Sequence, residues 1–207
     1  MENYKKINYQ LLLDEIISNI VKEGLKPTLL VHSCCAPCSS YVLEYLNSFF
    51  DISVLYYNPN ISPKEEYEKR KAEQIRLIKE KKWTKPVKFI DCDHENDLFE
   101  KMAEPLKDEP EGGRRCEACF SMRLDKTAKI AKENNFDYFV TTLSISPLKN
   151  AQLLNKIGEK LAEKYSLKYL PSDFKKREGY KRSIELSKEY NLYRQDYCGC
   201  KYSFNKD

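Results

Sequence analysis

Apolar and β-branched residues recur along the chain in short runs, and longer segments with helical periodicity separate these runs. Each run is too short for a helix and is bounded by polar or turn-forming residues, as buried strands are. Strands that alternate with helices are typical of a parallel sheet, because parallel neighbours need a long crossover connection. The predicted strands are TLLVH (28–32), ISVLYY (52–57), PVKFI (86–90) and DYFVTT (137–142).

The segments between the strands carry the start signals of helices. Proline and acidic residues are favoured in the first turn of a helix, and here they occur where the helical periodicity begins. The strongest break in the pattern is DEPEGGRR (108–115), which combines two glycines with charged residues and predicts a loop. Helices are predicted to begin near Pro37, Pro63 and Arg115, to run from about Lys149 to Tyr165, and to lie within residues 1–24 and 177–190, with a short apolar run, LKYL, at 167–170.

The composition is that of a soluble globular protein. Of the 207 residues, 41% are hydrophobic and 12% aromatic, which is too apolar for a disordered chain, and the 33% charged residues interrupt every apolar stretch. We therefore expect one α/β domain over residues 1–207, with no membrane partner. The N-terminal segment has acidic residues within its apolar stripe and lacks the unbroken apolar core of a signal peptide, so we expect a cytoplasmic protein.

Three polar or cysteine-rich segments directly follow predicted strands. They are SCCAPC (33–38), YYNPN (56–60) and TTLSIS (141–146). Ligands of open α/β sheets bind in the crevice at the carboxyl ends of the strands. The three segments are therefore expected to face one crevice.

Cysteines are the most informative residues of the sequence. Seven of the eight fall in three short clusters, whereas Cys92 stands alone after a predicted strand. Cytoplasmic thiols are kept reduced, so the clusters favour metal binding or redox catalysis over a disulfide framework, although a disulfide between clustered thiols stays an option. Cys92 fits a structural, weakly polar side chain. The candidate metal ligands are Cys34, Cys35, Cys38, Cys116, Cys119, Cys198 and Cys200.

The number of clustered thiols bears on the kind of metal. A structural zinc site takes four ligands, so seven thiols exceed one site and do not complete two. An iron–sulfur cluster also takes four cysteines and leaves three for a second metal or for redox chemistry. A thioredoxin-like Cys-x-x-Cys would leave the other clusters unexplained, and a phosphate-binding loop needs glycines that residues 33–38 lack.

Basic residues and tyrosines are interleaved around the last two cysteine clusters. The net charge of +4 is only a weak indication of a polyanionic partner, but this local pattern is typical of surfaces that hold single-stranded or looped RNA. A solvated helix face is an equal alternative for residues 175–182. The candidate RNA-binding residues are Arg114, Arg115, Lys175, Lys176 and Arg194.

Hydroxyl groups cluster at the end of the last long strand, where they could bind a polar ligand or cap the next helix. The candidate pocket residues are Thr141, Thr142, Ser144 and Ser146. The two histidines, His32 and His94, have no partner at a metal-ligand spacing, so we expect both to be hydrogen-bonded structural residues.

Taken together, five motifs resemble those of the QueH-type epoxyqueuosine reductases. The resemblance runs from about Thr28 to Ser203. It implies a Rossmann-like parallel sheet flanked by helices, akin to the PP-loop ATPase fold, and reduction of epoxyqueuosine to queuosine at the wobble position of tRNA without cobalamin. The motifs are HSCCAPCSS, DEPEGGRRCEACFSMRL, TTLSISPLKN, SDFKKREGY and YRQDYCGC.

The resemblance also implies cofactors and a division of the cysteines. It implies a [4Fe–4S] cluster with an additional iron ion, electrons from an external donor, and a metal site formed by the loops at 33–38, 114–120 and 193–203. An iron with an open coordination position would bind the epoxide oxygen while electrons arrive through the cluster. We expect Cys35, Cys116, Cys119 and Cys198 on the cluster, and Cys34, Cys38 and Cys200 near the additional iron.

Two other functions compete with this reading. A zinc-stabilised RNA-binding protein without redox activity would use the same cysteines and basic residues. An ATP-dependent PP-loop enzyme is disfavoured, because SCCAPC replaces the glycine- and serine-containing phosphate loop.

Overall fold

The structure, a computed structural model, describes residues 6–203 and contains a five-stranded parallel sheet. Residues 1–5 and 204–207, parts of the predicted N-terminal helix and of the predicted domain, lie outside the described residues. The strands are β1 (Thr28–His32), β2 (Asp51–Leu55), β3 (Lys88–Ile90), β4 (Tyr138–Thr141) and β5 (Lys168–Tyr169). The strand order is β3-β2-β1-β4-β5, the order found in Rossmann-like sheets, so the predicted fold class is confirmed.

Helices lie on both faces of the sheet. Short 3₁₀ helices lie at Glu104–Leu106, Thr142–Ile145 and Lys201–Ser203. No helix within residues 6–203 is both long enough and apolar enough to span a bilayer. The α-helices are α1 (Tyr9–Lys22), α2 (Ala36–Leu46), α3 (Lys64–Glu80), α4 (Asn96–Ala103), α5 (Arg114–Glu133), α6 (Ala151–Tyr165) and α7 (Gly179–Glu189).

Strand β1 is the middle of the sheet, and its side chains alternate between two apolar layers. Leu29 and Val31 pack into a layer that includes residues of α1 and α2, whereas Leu30 packs into a layer formed largely by α5 and α6. Each of the three is fully buried, which stabilises the fold by about 2 kcal/mol per side chain. Burial on both faces explains why the strand is continuously apolar.

The register of the sheet brings the predicted crevice together. His32, the last residue of β1, pairs with Leu55 of β2 on one side and with Thr141 of β4 on the other. The three strands therefore end at the same level. The segments that follow them begin at one edge of the sheet, as the sequence predicted.

The structure differs from the predicted elements in the lengths of three strands and in one additional helix. Strands β2, β3 and β4 are shorter than predicted, and β2 ends at Leu55 because the chain then turns toward Pro59. Helix α4 was not predicted. It is eight residues long, and it begins after Glu95, which has a left-handed backbone (φ 48°) and provides no side-chain cap.

Candidate metal centre

The first cysteine cluster lies between the end of β1 and the first turn of α2. Cys35 occupies the N-cap position of α2 in an extended conformation (φ −171°, ψ 159°), and its side chain makes no capping hydrogen bond. Ala36 and Pro37 follow in the first turn, so Cys38 faces back toward the N-terminus of the helix. The partial positive charge at a helix N-terminus favours thiolates over thiols.

The three thiols of this loop converge. The Sγ atoms of Cys34, Cys35 and Cys38 all lie within 4.8 Å of one another, and those of Cys34 and Cys35 are 3.7 Å apart. Thiolates on one tetrahedral metal, with metal–sulfur bonds of about 2.3 Å, are separated by about 3.8 Å. Within residues 6–203 no other His, Cys, Asp or Glu trio is this compact. The loop thus fits a thiophilic metal.

Proton affinities within the trio differ. Hydrogen bonds from the side chains of Cys35 and Cys38, together with the charge of Arg123, hold the pKa of Cys34 well below its ordinary value. Burial raises the pKa of Cys35 to about 12, and the Cys34 side chain raises that of Cys38. Coordination by all three sulfurs releases the protons that the thiols carry, which makes metal binding depend on pH.

The other two cysteine clusters meet beside α4. Cys119 on α5 and Cys200 pack against Phe99 and Ala103, so the unpredicted helix covers this side of the site. Burial raises the pKa of Cys119 to about 12, and the charges of Cys198 and Cys200 act in the same direction. Burial also raises the pKa of Cys200, with further contributions from Cys198 and Cys116. These four thiols are close enough to influence one another's charge.

The C-terminal cysteine segment, residues 197–200, is anchored to α3 and to the loop that precedes α3. Arg70, which is 2% exposed and paired with Glu66, donates hydrogen bonds from Nη1 to the carbonyl of Cys198 (3.3 Å) and from Nη2 to that of Tyr197 (3.4 Å). The backbone N–H of Ser62 donates to the carbonyl of Gly199 at 2.9 Å. The segment is therefore held by contacts that the spacing of the cysteines does not reveal.

A cavity of about 260 Å³ opens at this edge of the sheet. Cys34, Cys38 and Cys198 line it, whereas Cys35, Cys119 and Cys200 do not. Its walls include residues that follow β2 and β4, as well as the cations of Arg70, Arg123, Lys149 and Arg194. Lys149 Nζ lies 3.1 Å from Glu111 and 3.5 Å from the Sγ of Cys198.

Most of the predicted pocket hydroxyls serve the fold. Thr141 contacts His32 Nδ1 at 2.8 Å and caps the following 3₁₀ helix through the N–H of Leu143. Thr142 accepts a hydrogen bond from the N–H of Cys34 and lies 3.5 Å from its Sγ, so it positions the first cysteine. Ser144 is fully buried beside Ser172, and of the four predicted residues only Ser146 lines the cavity.

The five predicted RNA-binding cations have different environments. Arg114, Lys176 and Arg194 are exposed, and Arg194 lines the cavity. Lys175 is partly buried and paired with Asp173. Arg115 is 2% exposed, and its Nη1 donates to the carbonyls of Leu106, Lys107 and Glu109. Arg115 is therefore a structural residue and offers no surface to phosphate, which corrects its predicted role.

The remaining candidates have local partners. His32 is fully buried between Thr141 and the carbonyl of Tyr57, and burial lowers its pKa to about 3. His94 contacts the carbonyl of Ile61 at 2.8 Å and stacks on Tyr67. Cys92 lies outside the cavity, and burial raises its pKa. All eight cysteines are free thiols.

Three cations at the site were not selected as site residues from the sequence. Arg70, Lys149 and Arg123 all line the cavity. One signal was available for Arg123, because it lies four residues after Cys119 and therefore on the same face of α5.

Comparison with known proteins identifies the family. The family model for epoxyqueuosine reductase QueH matches residues 29–206. Among curated proteins, the epoxyqueuosine reductase QueH of Staphylococcus epidermidis is 48% identical over 98% of this chain and 87% of that protein. The protein of the same name from Streptococcus pyogenes is 46% identical over 98% of this chain and 80% of that protein.

A solved structure shows a weaker likeness. It is a predicted subunit of a tRNA methyltransferase from Methanocaldococcus jannaschii, with a TM-score of 0.49 and 16% identity over 78% of this chain and 74% of that chain. This likeness is too weak to support a conclusion on fold or function. The family model and the curated relatives, by contrast, match nearly the whole chain, and the chain belongs to the epoxyqueuosine reductase QueH family.

Proposed function

We propose that this chain reduces epoxyqueuosine to queuosine in tRNA. Both bonds from the epoxide oxygen to carbon break, a carbon–carbon double bond forms, and two electrons and two protons convert the oxygen to water. An external donor supplies the electrons. The observation that carries the proposal is the convergence of three thiols on the wall of a cavity at the carboxyl edge of the sheet, in a chain of this family.

The cofactors we propose are a [4Fe–4S] cluster and an additional iron ion. The donor set supports them, because thiolates are the ligands of iron–sulfur clusters and the chain brings seven cysteines to one edge of the sheet. When bound, such a centre supplies electrons and a Lewis-acidic iron. The site would be built from the loops at 33–38, 114–120 and 193–203.

The division of the cysteines is the one that the family resemblance implies. The cavity wall supports it for Cys34, Cys35 and Cys38, whereas Cys198, assigned to the cluster, lines the cavity as well. Cys34 and Cys38 line it and are assigned to the additional iron, where substrate oxygen would be accessible. Cys35 is 1% exposed and absent from the cavity wall, so we assign it to the cluster with Cys116, Cys119 and Cys198. Cys200, assigned to the additional iron by family resemblance, packs beside Cys119. Comparing Cys35→Ala with Cys200→Ala by iron content tests this division.

The tRNA would approach through the open side of the cavity. A volume of about 260 Å³ admits part of one extruded nucleoside, and extrusion costs least from an unpaired loop. Arg194 lies on the cavity wall, with Arg114, Lys175 and Lys176 as further phosphate contacts. Tyr180 and Leu148, 38% and 79% exposed, offer apolar faces for unstacked bases. Ser146 and Lys149 provide polar groups to the substrate.

Family membership does not favour the alternative of a zinc-stabilised RNA-binding protein. The two functions make opposite predictions for a single reaction. The protein is purified without oxygen, reduced chemically and mixed with tRNA carrying epoxyqueuosine, and the nucleosides are then separated by mass. A product that lacks one oxygen atom supports the reductase, and unchanged substrate in every preparation defeats it.

Two cysteine variants connect this reaction to the cavity. Cys38→Ala removes a proposed ligand and should lower turnover by at least about a hundredfold. Cys92→Ala removes a thiol outside the cavity and should leave turnover near that of the parent. Equal turnover in the two variants would contradict the assignment of the site.

A further inference from the structure

Arg123 is a buried cation without a carboxylate partner. It lies on α5, is 2% exposed, and forms no ion pair with any Asp or Glu among residues 6–203. Arg70 is the other equally buried arginine on the cavity wall, and it forms an ion pair with Glu66. A buried charge is costly unless an opposite charge or strong hydrogen bonds compensate it, so the partners of Arg123 have to be sought among other groups.

Two neutral groups fix the orientation of the guanidinium. Its Nε donates to His32 Nε2 at 3.3 Å, and its Nη2 donates to Asn58 Oδ1 at 2.5 Å. The side-chain amide of Asn58 in turn donates to the carbonyl of Ser33 at 2.9 Å, directly before the first cysteine cluster. Arg123 is thereby tied to the loop that holds Cys34. These hydrogen bonds orient the guanidinium of Arg123 but bring no negative charge to it.

The groups that face Arg123 are sulfurs. Arg123 lines the same cavity as Cys34 and Cys198, and it lies one helical turn after Cys119 on α5. Metal binding requires these sulfurs as thiolates, so in the loaded site they would supply the negative charge. These three cysteines come one from each of the three sequence clusters. The guanidinium also lines the cavity. It therefore lies at the point where the three clusters and the substrate cavity meet.

We propose that Arg123 is the counter-charge of the thiolate site and sets the electron affinity of the metal centre that these thiolates hold. It acts through the thiolates and is a positioning residue. A fixed positive charge beside an anionic centre stabilises the state that has gained an electron, most strongly in a site that excludes water. The inference rests on the proposed iron–sulfur function.

The direct test is a redox titration of the iron-loaded protein, followed by visible absorption and electron paramagnetic resonance. Arg123→Met and Arg123→Gln remove the charge, and Arg123→Lys keeps it. The two neutral variants should lower the equilibrium constant for one-electron reduction about tenfold or more, a shift of about −59 mV or beyond. Arg123→Lys should stay within about threefold of the parent, or about 30 mV.

Lys126→Met is the matched control. It removes a cation from the same helix, one turn further on, where the partner is Glu95 rather than a thiolate of the site. Its potential should equal that of the parent. Neutral variants with normal iron content and an unshifted potential would overturn the inference, as would Arg123→Lys shifting as far as Arg123→Met.

A second measurement covers neutral variants that fail to hold iron. For such variants the measurement is iron per protein after loading under the same conditions. Loss of iron in both neutral variants, with normal iron in Arg123→Lys, supports the inference, because the thiolates then need the positive charge. Loss of iron in Arg123→Lys as well would overturn it. Failure of the proposed function would instead appear in the unmodified protein, as the absence of epoxide reduction.

Discussion

Arg114 and Arg115 are neighbours in the sequence, but the first turn of α5 gives them unlike environments. The Arg114 side chain is 77% exposed and pairs with Glu109, whereas Arg115 is buried under the loop that precedes the helix. The guanidinium of Arg115 ties together three backbone carbonyls and stacks on Tyr202. The glycine-containing loop that carries Glu109 is therefore held in place by Arg115.

Substituting each arginine in turn should separate the structural role of Arg115 from the exposed position of Arg114. Arg115→Met leaves three carbonyls without their charged donor, and the free energy of unfolding should fall by about 3 kcal/mol, as measured by urea denaturation. Arg114→Met should change that free energy by less than about 0.5 kcal/mol. Equal stabilities of the two variants would show that the buried hydrogen bonds of Arg115 contribute nothing.

At the scale of single residues, sequence spacing predicts which cysteines cluster, but it does not predict which way each side chain points. Clustering predicts seven of the eight thiols as ligands, because short spacings bring sulfurs together within one turn. The structure brings three of them, Cys34, Cys35 and Cys38, within 4.8 Å of one another. Whether Cys34 or Cys35 faces the cavity depends on the extended N-cap conformation of Cys35, which no pattern of residue types encodes. The burial of Arg123 and Arg115 depends likewise on tertiary contacts.

Among the elements, the C-terminal cysteine segment relies on Gly199. Its φ of 102° is rarely adopted by residues with a side chain, and a Cβ there would lie 2.8 Å from Ile61 Cγ1 and 3.1 Å from Arg70 Nη1. The glycine thus allows Cys198 and Cys200 to sit close to the wall formed by Ile61 and Arg70.

Gly199→Ala should therefore lower both stability and metal content. We expect a loss of about 2 kcal/mol in the free energy of unfolding, from backbone strain and the close contacts, together with reduced iron per protein. Gly24→Ala is the control, since Gly24 also has a positive φ (64°) but nothing within 4 Å of the added Cβ. It should cost about 1 kcal/mol and leave the iron content unchanged. Normal iron in Gly199→Ala would contradict this account of the segment.

Glu44 joins three helical elements through two ion pairs. Its carboxylate on α2 accepts hydrogen bonds from Lys81, at the end of α3, and from Arg182 on α7. Burial alone would raise its pKa, but hydrogen bonds from Arg182 and Lys81 hold the pKa below its usual value. A lowered carboxyl pKa contributes stability above the pKa of the unfolded chain, and that contribution is lost as the pH falls through the folded value.

Glu44→Gln should therefore destabilise the protein at pH 7 and lose its effect in acid. The difference from the parent, measured by urea denaturation, should shrink below about pH 4. Glu15→Gln is the control, because Glu15 is exposed and forms no ion pair with described residues. A difference that stayed constant from pH 7 to acid would show that Glu44 does not act through its charge.

At the scale of the whole molecule, the alternation of strands and helices was sufficient to predict a parallel sheet and a crevice at its carboxyl edge. The short helix α4 was not predictable, because its eight residues carry too little periodicity and no capping side chain. Its role depends on packing across the chain, where Phe99 and Ala103 cover Cys119 and Cys200. Arg70 anchors the C-terminal cysteine segment through hydrogen bonds to residues that lie 127 and 128 positions further along the chain. Local sequence patterns do not reveal such contacts.

The central claim is that the clustered cysteines hold iron at the wall of the substrate cavity. Crystals grown without oxygen, with data recorded on both sides of the iron absorption edge, test it most directly. The account predicts iron peaks bonded to Cys34, Cys35, Cys38, Cys116, Cys119, Cys198 and Cys200, with none at Cys92. A zinc peak at these thiols, or iron bound at Cys92, would contradict it.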